Sequence, residues 1–433
     1  MSVLAPLHHP RFRLLIAGRT VNALGNSFAP IALAFAVIDL TGSAADLGLV
    51  VGARTVFNVA FLLFGGVLAD RMPKHLLMVG SSIAAAVTQG MVAALVLTDS
   101  ATIPLLMGLG AINGMVGALA LPASSSILPQ TVPADIRQQA NALSRLSLNS
   151  AAILGAPLAG IVVAGVGPGW GIAVDALTFA VAALLFLPLR VPEKKPVAVK
   201  PGVTGDEQTP GEAAVPPRRP NIITDLRTGW SEFRSRTWLW VVVAGFCVLN
   251  ACWSGGLFVL GPFVANETIG RQNWGLVLAA QTGGMIVGAL IAMRLRMRRM
   301  LAFGVFSCFF MALPVLLLGV RPQLWALIAG ALVAGLMVEQ FGIAWETTMQ
   351  EHVPADKLAR VYSYDMVGSF VAIPIGEVAI GPIAHAVGIR PTLIGATVLM
   401  TAAVLFMLSS RDVRTLRHHL PEPASAPVKE SAA

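Results

Sequence analysis

Twelve apolar runs follow one another along the chain, and each is close to the length that an α-helix needs to cross a bilayer, about 20 residues. The runs begin near Leu14, Asp46, Leu76, Ile103, Asn141, Trp170, Trp238, Trp274, Met300, Leu324, Ala359 and Pro391. Only 12% of the residues are charged, against about 25% in a soluble domain. The sequence therefore predicts an all-α integral membrane protein with twelve transmembrane helices in a lipid bilayer.

The basic residues are divided unequally between the two ends of these runs. If the chain starts in the cytoplasm, the outer loops hold three of the 30 Lys and Arg residues, namely Arg271, Arg321 and Arg390. Arg19 and Arg54 lie inside apolar runs, and the other basic residues fall on the cytoplasmic side. This distribution follows the positive-inside rule. We therefore expect both termini in the cytoplasm.

The first apolar run is preceded by basic residues and histidines, among them His8, Arg11 and Arg13. That run is too long for the core of a signal peptide, so we expect a retained first helix rather than a cleaved leader. Arg outnumbers Lys in the chain by 24 to 6, and Ala and Gly abound. This composition is typical of a GC-rich bacterial genome and favours a bacterial plasma membrane.

One long polar connection divides the chain into two halves. We expect a six-helix bundle at 1–190, a partly disordered cytoplasmic linker at 191–236, a second six-helix bundle at 237–410 and a flexible cytoplasmic tail at 411–433. An internal repeat supports the division, because "VPAD" occurs at Val132 and again at Val353. Likewise "GLVVGART" at Gly48 corresponds to "GLVLAAQT" at Gly275. Matches in the same order in both halves indicate duplicated, pseudo-symmetric bundles.

The segment "GGVLADRMPKH", which begins at Gly65, resembles the signature loop of the major facilitator superfamily. The segments "LTGSAADLGLV", "PASSSILPQTVP", "QANAL" and "DALTF" are similar to the drug and siderophore efflux branch, which includes the enterobactin exporter and macrolide exporters. Two features depart from that branch. The fourth helix carries Asn113 rather than an arginine, and the fifth keeps its antiporter signature only loosely, as "AAILGAPLAG".

The resemblance implies two bundles that enclose a central cavity and rock about a site near the midplane of the membrane. It also implies that the signature loop gates the cytoplasmic side. The residues carried over to this gate are Gly66, Asp70, Arg71 and Lys74. Asp70 is expected to meet the N-terminal end of the eleventh helix near Lys357 and Arg360; the alternative is that these are solvated loop charges.

Ionisable residues at membrane depth are functional candidates, because a charge there is costly unless it is paired or wetted. A carboxylate in a partly dry cavity can exchange protons near neutral pH. Our first candidate for proton coupling is Glu339, with Glu346 or Glu377 second and Asp175 a further candidate. The alternative is that each of these carboxylates is a structural partner of Arg19, Arg54 or a backbone amide.

Polar and aromatic residues inside the runs are candidates for the lining of the cavity. They are Asn22, Asn26, Asn58, Asn113, Trp253, Gln281, Gln340 and Trp345. A lining that mixes amides with aromatic rings suits an amphiphilic organic molecule, although core packing or lipid contact is the common fate of a single aromatic residue.

These patterns predict a secondary active transporter that exports a drug, antibiotic or siderophore by alternating access in exchange for protons. Two alternatives stay open, proton-coupled uptake of a small nutrient on the same fold and a membrane sensor that transports nothing. The chain has no Walker A sequence and no Ser/His constellation within its helices, so we expect neither an ATP motor nor an enzyme. We expect no cofactor, no metal site and no nucleic-acid partner, and we expect a monomer.

Overall fold

The computed structural model describes residues 5–71, 73–133, 136–189, 230–292, 294 and 297–417, and in this part of the chain it contains helices and turns but no strand. The spans are α1 Pro10–Thr41, α2 Ala44–Arg71, α3 Lys74–Leu97, α4 Ile103–Ile127, α5 Arg137–Val166, α6 Pro168–Phe186, α7 Thr237–Glu267, α8 Arg271–Ala292, α9 Met300–Val320, α10 Leu324–His352, α11 Ala355–Phe370 with Ile373–Val387, and α12 Ile389–Ser409. A short helix, α13, follows at Arg411–Thr415. The prediction of an all-α membrane fold is confirmed.

Hydropathy and length agree with this arrangement. Eleven spans of the described chain are long and apolar enough to cross a membrane, and α4 contains the shorter apolar helix Ile103–Leu119. We call the end where α1 finishes and α2 begins the distal end. The opposite end, where α1 begins and α12 finishes, is the proximal end.

The predicted linker at 191–236 lies mostly outside the described residues, as do 418–433 of the predicted tail. The domain boundaries therefore stay a prediction.

Several spans are interrupted near their middle. In α1, the helix stops at Asn26 and resumes at Ala29, with Pro30 in the first turn of the new segment. In α7, a π-helical stretch occupies Gly255–Leu260. Such interruptions leave backbone groups without their usual partners, and they are tolerated in a membrane where neighbouring helices surround them.

Each half packs into its own bundle. In the first half, α2 packs on α4, α3 packs on α4 and α6, and α1 packs on α5 and α6. In the second half, α8 packs on α10, α9 packs on α10 and α12, and α7 packs on α11 and α12. The halves meet along two seams, α2 against α11 and α5 against α8. The second bundle therefore repeats the helix pairs of the first, as the sequence repeat predicts.

The two seams are built alike because glycines allow the helices to touch through their backbones. A Cβ atom on Gly48 of α2 would collide with the backbone carbonyl of Glu377 in α11. A Cβ atom on Gly275 of α8 would collide in the same way with the carbonyl of Ala156 in α5. Because Gly48 and Gly275 are the first residues of the matching segments, the sequence repeat is also a repeat of this contact.

An ion pair joins the two bundles at the distal end. Arg271, the first residue of α8, reaches Asp39 near the end of α1 with both terminal nitrogens, one of them 2.7 Å from Asp39 Oδ2. Its Nε donates to Asn266 at 2.8 Å, and its guanidinium lies 5.0 Å from the ring centre of Phe35. Together with the glycine contacts, this pair holds the distal end closed.

Candidate functional site

Glu377 is a carboxylate enclosed at the seam between α2 and α11, with 3% of its surface exposed. The hydroxyl of Ser254 in α7 donates to Glu377 Oε1 at 2.6 Å. Its other oxygen, Oε2, has no hydrogen-bond partner in the described part of the chain, although the hydroxyl of Thr55 in α2 lies near enough to interact favourably with the carboxylate. A buried ionised carboxylate is costly unless an opposite charge compensates it or a proton neutralises it. Glu377 therefore needs one or the other.

Asp175 is a second carboxylate of the same kind, inside the first bundle, and none of its surface is exposed. Gln89 of α3 donates its side-chain amide to Asp175 Oδ2 at 2.5 Å. Oδ1 has no hydrogen-bond partner among the residues described and points toward Gly25 of α1. One amide donor is too little to stabilise a full negative charge at this depth.

Arg54 of α2 contributes a favourable electrostatic interaction to both carboxylates, smaller than the hydrogen bond from Gln89 for Asp175 and smaller than those from Ser254 and Thr55 for Glu377. Arg54 lies ten residues from the start of α2, which corresponds to a depth of about 15 Å and thus to the middle of the membrane. Within the described chain, neither carboxylate forms a direct ion pair with Arg54. We call Arg54, Asp175 and Glu377 the charged triad.

The first candidate from the sequence, Glu339, lies in the proximal half of α10 and is partly exposed. Its charge interacts with Arg145 of α5, in the other bundle, and with Glu346 two turns further along α10. Glu346 is exposed near the proximal end. These two carboxylates share a helix face, as their spacing predicts, but both are less enclosed than Glu377, and Glu339 has a cation to interact with.

An aromatic wall lies in the second bundle near the partly buried carboxylate of Asp365. Phe246 stacks on Phe341 with ring centres 4.1 Å apart, and Phe341 stacks on Trp345 at 5.9 Å. The indole nitrogen of Trp345 donates to Asp365 Oδ2 at 2.9 Å, and Ser369 donates to Oδ1 at 3.1 Å. This arrangement places one carboxylate beside stacked rings, of which Phe341 and Trp345 are buried in the second bundle. Trp253 is half-buried against the same core.

Several of the candidate amides join neighbouring helices. Asn58 donates to the carbonyl of Gly114 at 3.0 Å, Asn113 to Thr88 at 3.3 Å, and Gln340 to the carbonyl of Gly288 at 2.6 Å. Asn113 and Gln340 are buried. In α1, Asn26 is exposed and donates to Asn22 one turn earlier, whereas Gln281 is half-buried in α8. The lining role of this set stays a prediction, and the exposed Asn26 supports it most directly.

For the expected gate residues, the structure describes the position of the backbone in the helices. Gly66, Asp70 and Arg71 lie in the last turns of α2, and Lys74 begins α3. Their side chains, and that of Arg360, lie outside the described residues. Lys357, the expected partner of Asp70, binds Glu232 at 2.8 Å, and Glu232 also binds Arg236 at 2.5 Å. The hydrogen bond from Lys357 is the main cause that lowers the pKa of Glu232, and the interaction with Arg236 lowers it further.

Three of these contacts were not anticipated from the sequence. The Asp39–Arg271 pair joins residues 232 positions apart, and the Ser254–Glu377 hydrogen bond spans 123 positions. Gln89, the donor to Asp175, is an ordinary polar residue in an apolar run. One signal in the sequence could have indicated the Asp39–Arg271 pair. Asp39 is an acidic residue at the end of the first apolar run, and Arg271 is a basic residue in an outer loop, where basic residues are rare.

Comparison with known proteins supports the fold. The sequence profile described as "Major Facilitator Superfamily" matches residues 15–377. A bacterial homologue of the human lysosomal transporter Spinster, crystallised inward-facing and unoccupied, is 14% identical, with a TM-score of 0.71 over 93% of this chain and 97% of that one. The nucleoside transporter NupG is 14% identical, with a TM-score of 0.69 over 92% and 98%. Among curated protein sequences, none matches the chain significantly.

Proposed function

The chain belongs to the Major Facilitator Superfamily and is a secondary transporter, and we propose that it exports small amphiphilic organic molecules in exchange for protons. The observation that carries the proposal is Glu377, a buried carboxylate with an unpartnered oxygen at the seam between the bundles. A proton on Glu377 changes the electrostatics of a contact that must open during alternating access. Proton binding and the movement of the bundles are thereby linked.

The closed distal end supports the same cycle. The Asp39–Arg271 pair and the backbone contact of Gly48 with Glu377 join the bundles there. We propose that the distal end faces the outside of a bacterial plasma membrane, and that the signature-loop residues Gly66, Asp70, Arg71 and Lys74 close the opposite side when the distal end opens. We further propose that the protein works as a monomer, because each bundle-to-bundle seam lies within one chain.

The class of cargo follows from the aromatic wall. Phe246, Phe341 and Trp345 offer stacked rings, and Asp365 holds a carboxylate beside them. Stacked rings with a few fixed polar groups are typical of sites for organic ligands. An amphiphilic organic molecule fits this surface better than an inorganic ion.

Uptake of a small polar nutrient is the second candidate. It is favoured by the structural likeness to NupG, which is a nucleoside transporter. The direction of transport separates the two functions, because in everted vesicles an exporter accumulates its cargo inside when the interior is acid.

The test is accumulation of a panel of amphiphilic dyes and antibiotics by everted vesicles with an acid interior. We expect wild-type vesicles to accumulate at least one compound, and Glu377→Gln to abolish the dependence on the pH gradient. Glu267→Gln, at the exposed distal end of α7, is the matched control and is expected to behave as wild type. Glu339→Gln tests the first candidate from the sequence in the same assay. Accumulation that ignores the pH gradient in the wild type contradicts the proposal.

A further inference from the structure

A cavity lies at the proximal end of the second bundle, between the start of α7 and the junction of α12 with α13. Its volume is about 330 Å³, which is within the range of ligand sites in proteins, about 300–1,000 Å³. The residues that line it include Thr237, Val241, Phe406, Ser410, Arg411 and Asp412. None of them belongs to the aromatic wall or to the seams between the bundles.

The lining of this cavity changes from polar to apolar with depth. Thr237 is the first residue of α7, and Ser410 joins α12 to α13, so both hydroxyls lie at the outer, proximal end. Val241 and Phe406 lie one turn deeper in α7 and α12, about 6 Å farther into the membrane. Val241 is buried, whereas 47% of the surface of Phe406 is exposed. A phospholipid has the same order of groups, with a polar headgroup at the surface and acyl chains below it.

The outer end of the cavity carries more positive than negative charge. Arg411 lines it, and Arg414 donates to the backbone carbonyl of Ser409, another lining residue, at 3.4 Å. The buried Val413 fixes α13 on the bundle, while both arginines stay exposed. Asp412 also lines the cavity and opposes them. Two guanidinium groups against one carboxylate favour an anionic ligand.

Further basic residues surround α13. This short helix packs on the start of α9, which follows the exposed Arg298 and Arg299. Arg417, just beyond α13, is exposed as well. Clusters of basic residues beside transmembrane helices attract anionic phospholipids. The charge around the cavity therefore matches a lipid phosphate.

The corresponding end of the first bundle is closed. Leu189, which the repeat aligns with Ser410, has none of its surface exposed. Ala5 and Leu7, from the segment before α1, pack against the apolar cluster that contains Leu189. The first bundle thus fills with its own side chains the place where the second has a cavity.

We infer that this cavity binds an anionic phospholipid, with the phosphate between Arg411 and Arg414 and an acyl chain along Phe406. Hydrogen bonds from arginine to phosphate are charge-assisted and stronger than those between neutral groups. The hydroxyls of Thr237 and Ser410 are further donors for the same phosphate. Because the cavity lies between α7 and α12, a bound lipid connects the first and last helices of the second bundle and stabilises the folded protein. Such a site is independent of the cargo and of proton coupling.

The experiment is thermal unfolding of the full chain in detergent, with dioleoyl phosphatidylglycerol added in steps. Dioleoyl phosphatidylcholine, which has the same acyl chains but no net charge, and inorganic phosphate are the comparison ligands. We expect phosphatidylglycerol to raise the unfolding temperature until the site is saturated. The other two ligands should have little effect at the same concentrations, because each lacks one half of what the cavity recognises.

Two variants change the charge of the cavity in opposite directions. We expect Arg411→Gln, which removes one partner of the phosphate, to weaken the apparent affinity for phosphatidylglycerol about fivefold. Asp412→Asn removes the opposing carboxylate and should strengthen the apparent affinity, by about threefold. Arg321→Gln makes the same change as Arg411→Gln at an exposed residue of the distal end and should bind as the wild type does.

Opposite shifts in Arg411→Gln and Asp412→Asn support the site. Equal affinities in the wild type and in both variants overturn it, because anionic lipid then binds elsewhere. Equal stabilisation by phosphatidylcholine also overturns it and indicates lipid contact in general, and equal stabilisation by inorganic phosphate indicates a site for a soluble anion instead. If Arg411→Gln does not elute as the wild type does in size-exclusion chromatography, Arg414→Gln takes its place, with the same expected direction.

Discussion

The two halves of this transporter share one scaffold but differ in the polar groups that they bury in it. Gly48 and Gly275 make the same backbone contact, and Gly167 and Gly388, both with positive φ, precede α6 and α12. The repeat also aligns Arg54 with Gln281, Asp175 with Ala396, and Glu377 with Ala156; in each case the second residue is uncharged. The scaffold is therefore symmetric, whereas the charged residues Arg54, Asp175 and Glu377 have no charged counterparts at the aligned positions.

This difference distinguishes the contacts that stabilise the fold from the charged groups that are proposed to couple proton binding to movement of the bundles. Close helix contacts are needed twice, once at each seam, so they occur in both halves. On the proposed function, a buried charge is needed only where its protonation is linked to movement, and a second one would add a cost without a function. The predictions below test this separation, from the largest expected effect to the smallest.

The strongest test places a carboxylate in the uncharged seam. Ala156 corresponds to Glu377 and is buried against α8. We expect Ala156→Glu to lower the free energy of unfolding by about 3 kcal/mol, since no cation such as Arg54 lies at the equivalent place in α8. The measurement is thermal unfolding in detergent at pH 8. Ala156→Gln, of the same size but neutral, is the control, and an equal loss in both variants would mean that volume rather than charge is responsible.

The second test asks whether the two seams are equally tight. We expect Gly48→Ala and Gly275→Ala to destabilise the protein by similar amounts, about 1–3 kcal/mol each, because both would force backbones apart. Gly80→Ala in α3 is the control, since a Cβ there meets nothing within 4 Å. Its effect should be neutral or slightly favourable. Unequal losses in thermal unfolding would show that the seams are not equivalent.

The third test concerns the distal ion pair, which belongs to one seam only. At the position that corresponds to Arg271, α2 begins with Ala44. The side chains of Arg271 and Asp39 are 25% and 41% exposed, so we expect Asp39→Asn to cost about 1 kcal/mol or less. The loss should shrink at high salt. Thermal unfolding at low and high salt measures it, and a salt-independent loss would contradict an electrostatic role.

The smallest effect on stability is expected at the proximal end, where the short segment that precedes the first helix of each half packs against that half. In the first half, Ala5 and Leu7 pack against the cluster that contains Ile136. In the second half, Glu232 binds Lys357, the residue that the repeat aligns with Ile136. One docking contact is therefore apolar, and the other is ionic.

The ionic docking alone should depend on pH. Because its partners lower the pKa of Glu232 from the ordinary value of 4.5, the contact is at full strength above pH 4.5. It is lost as the pH falls through the lowered value. We expect hydrogen exchange of residues 230–235 to accelerate, relative to the intrinsic rate, below this range and in Glu232→Gln at pH 7, by a factor that corresponds to a few tenths of a kcal/mol. Exchange of residues 5–8 should not respond.

Much of the fold was predictable from the sequence because spanning a membrane is a requirement on length and polarity. The largest errors are at three helix starts, where α1 begins at Pro10 rather than Leu14, α5 at Arg137 rather than Asn141, and α11 at Ala355 rather than Ala359. In each case the first turn of the helix carries charged residues and projects from the apolar run. Hydropathy detects the part of a helix in lipid, whereas hydrogen bonding continues beyond it.

The candidate site was predictable as a set of residues but not as an arrangement. The sequence indicated Arg54, Asp175 and Glu377 because charges in apolar runs are conspicuous. It ranked Glu339 first, since periodicity shows which residues share a helix face but not which face is enclosed. Enclosure of Glu377 depends on α2 and on Ser254 of α7, which are brought together only by tertiary packing.

The interruptions of α1 and α7 give the two bundles a pair of flexible joints. Gly155 of α5 lies against Ser27 at the first joint, and Gly376 of α11 lies against Ala251 just before the second. A joint supported on one side can bend without detaching from its neighbour. We expect the tips of α1 and α7 to tilt at these joints while their proximal parts stay in register, so that the distal end can open by local bending before either bundle turns as a whole.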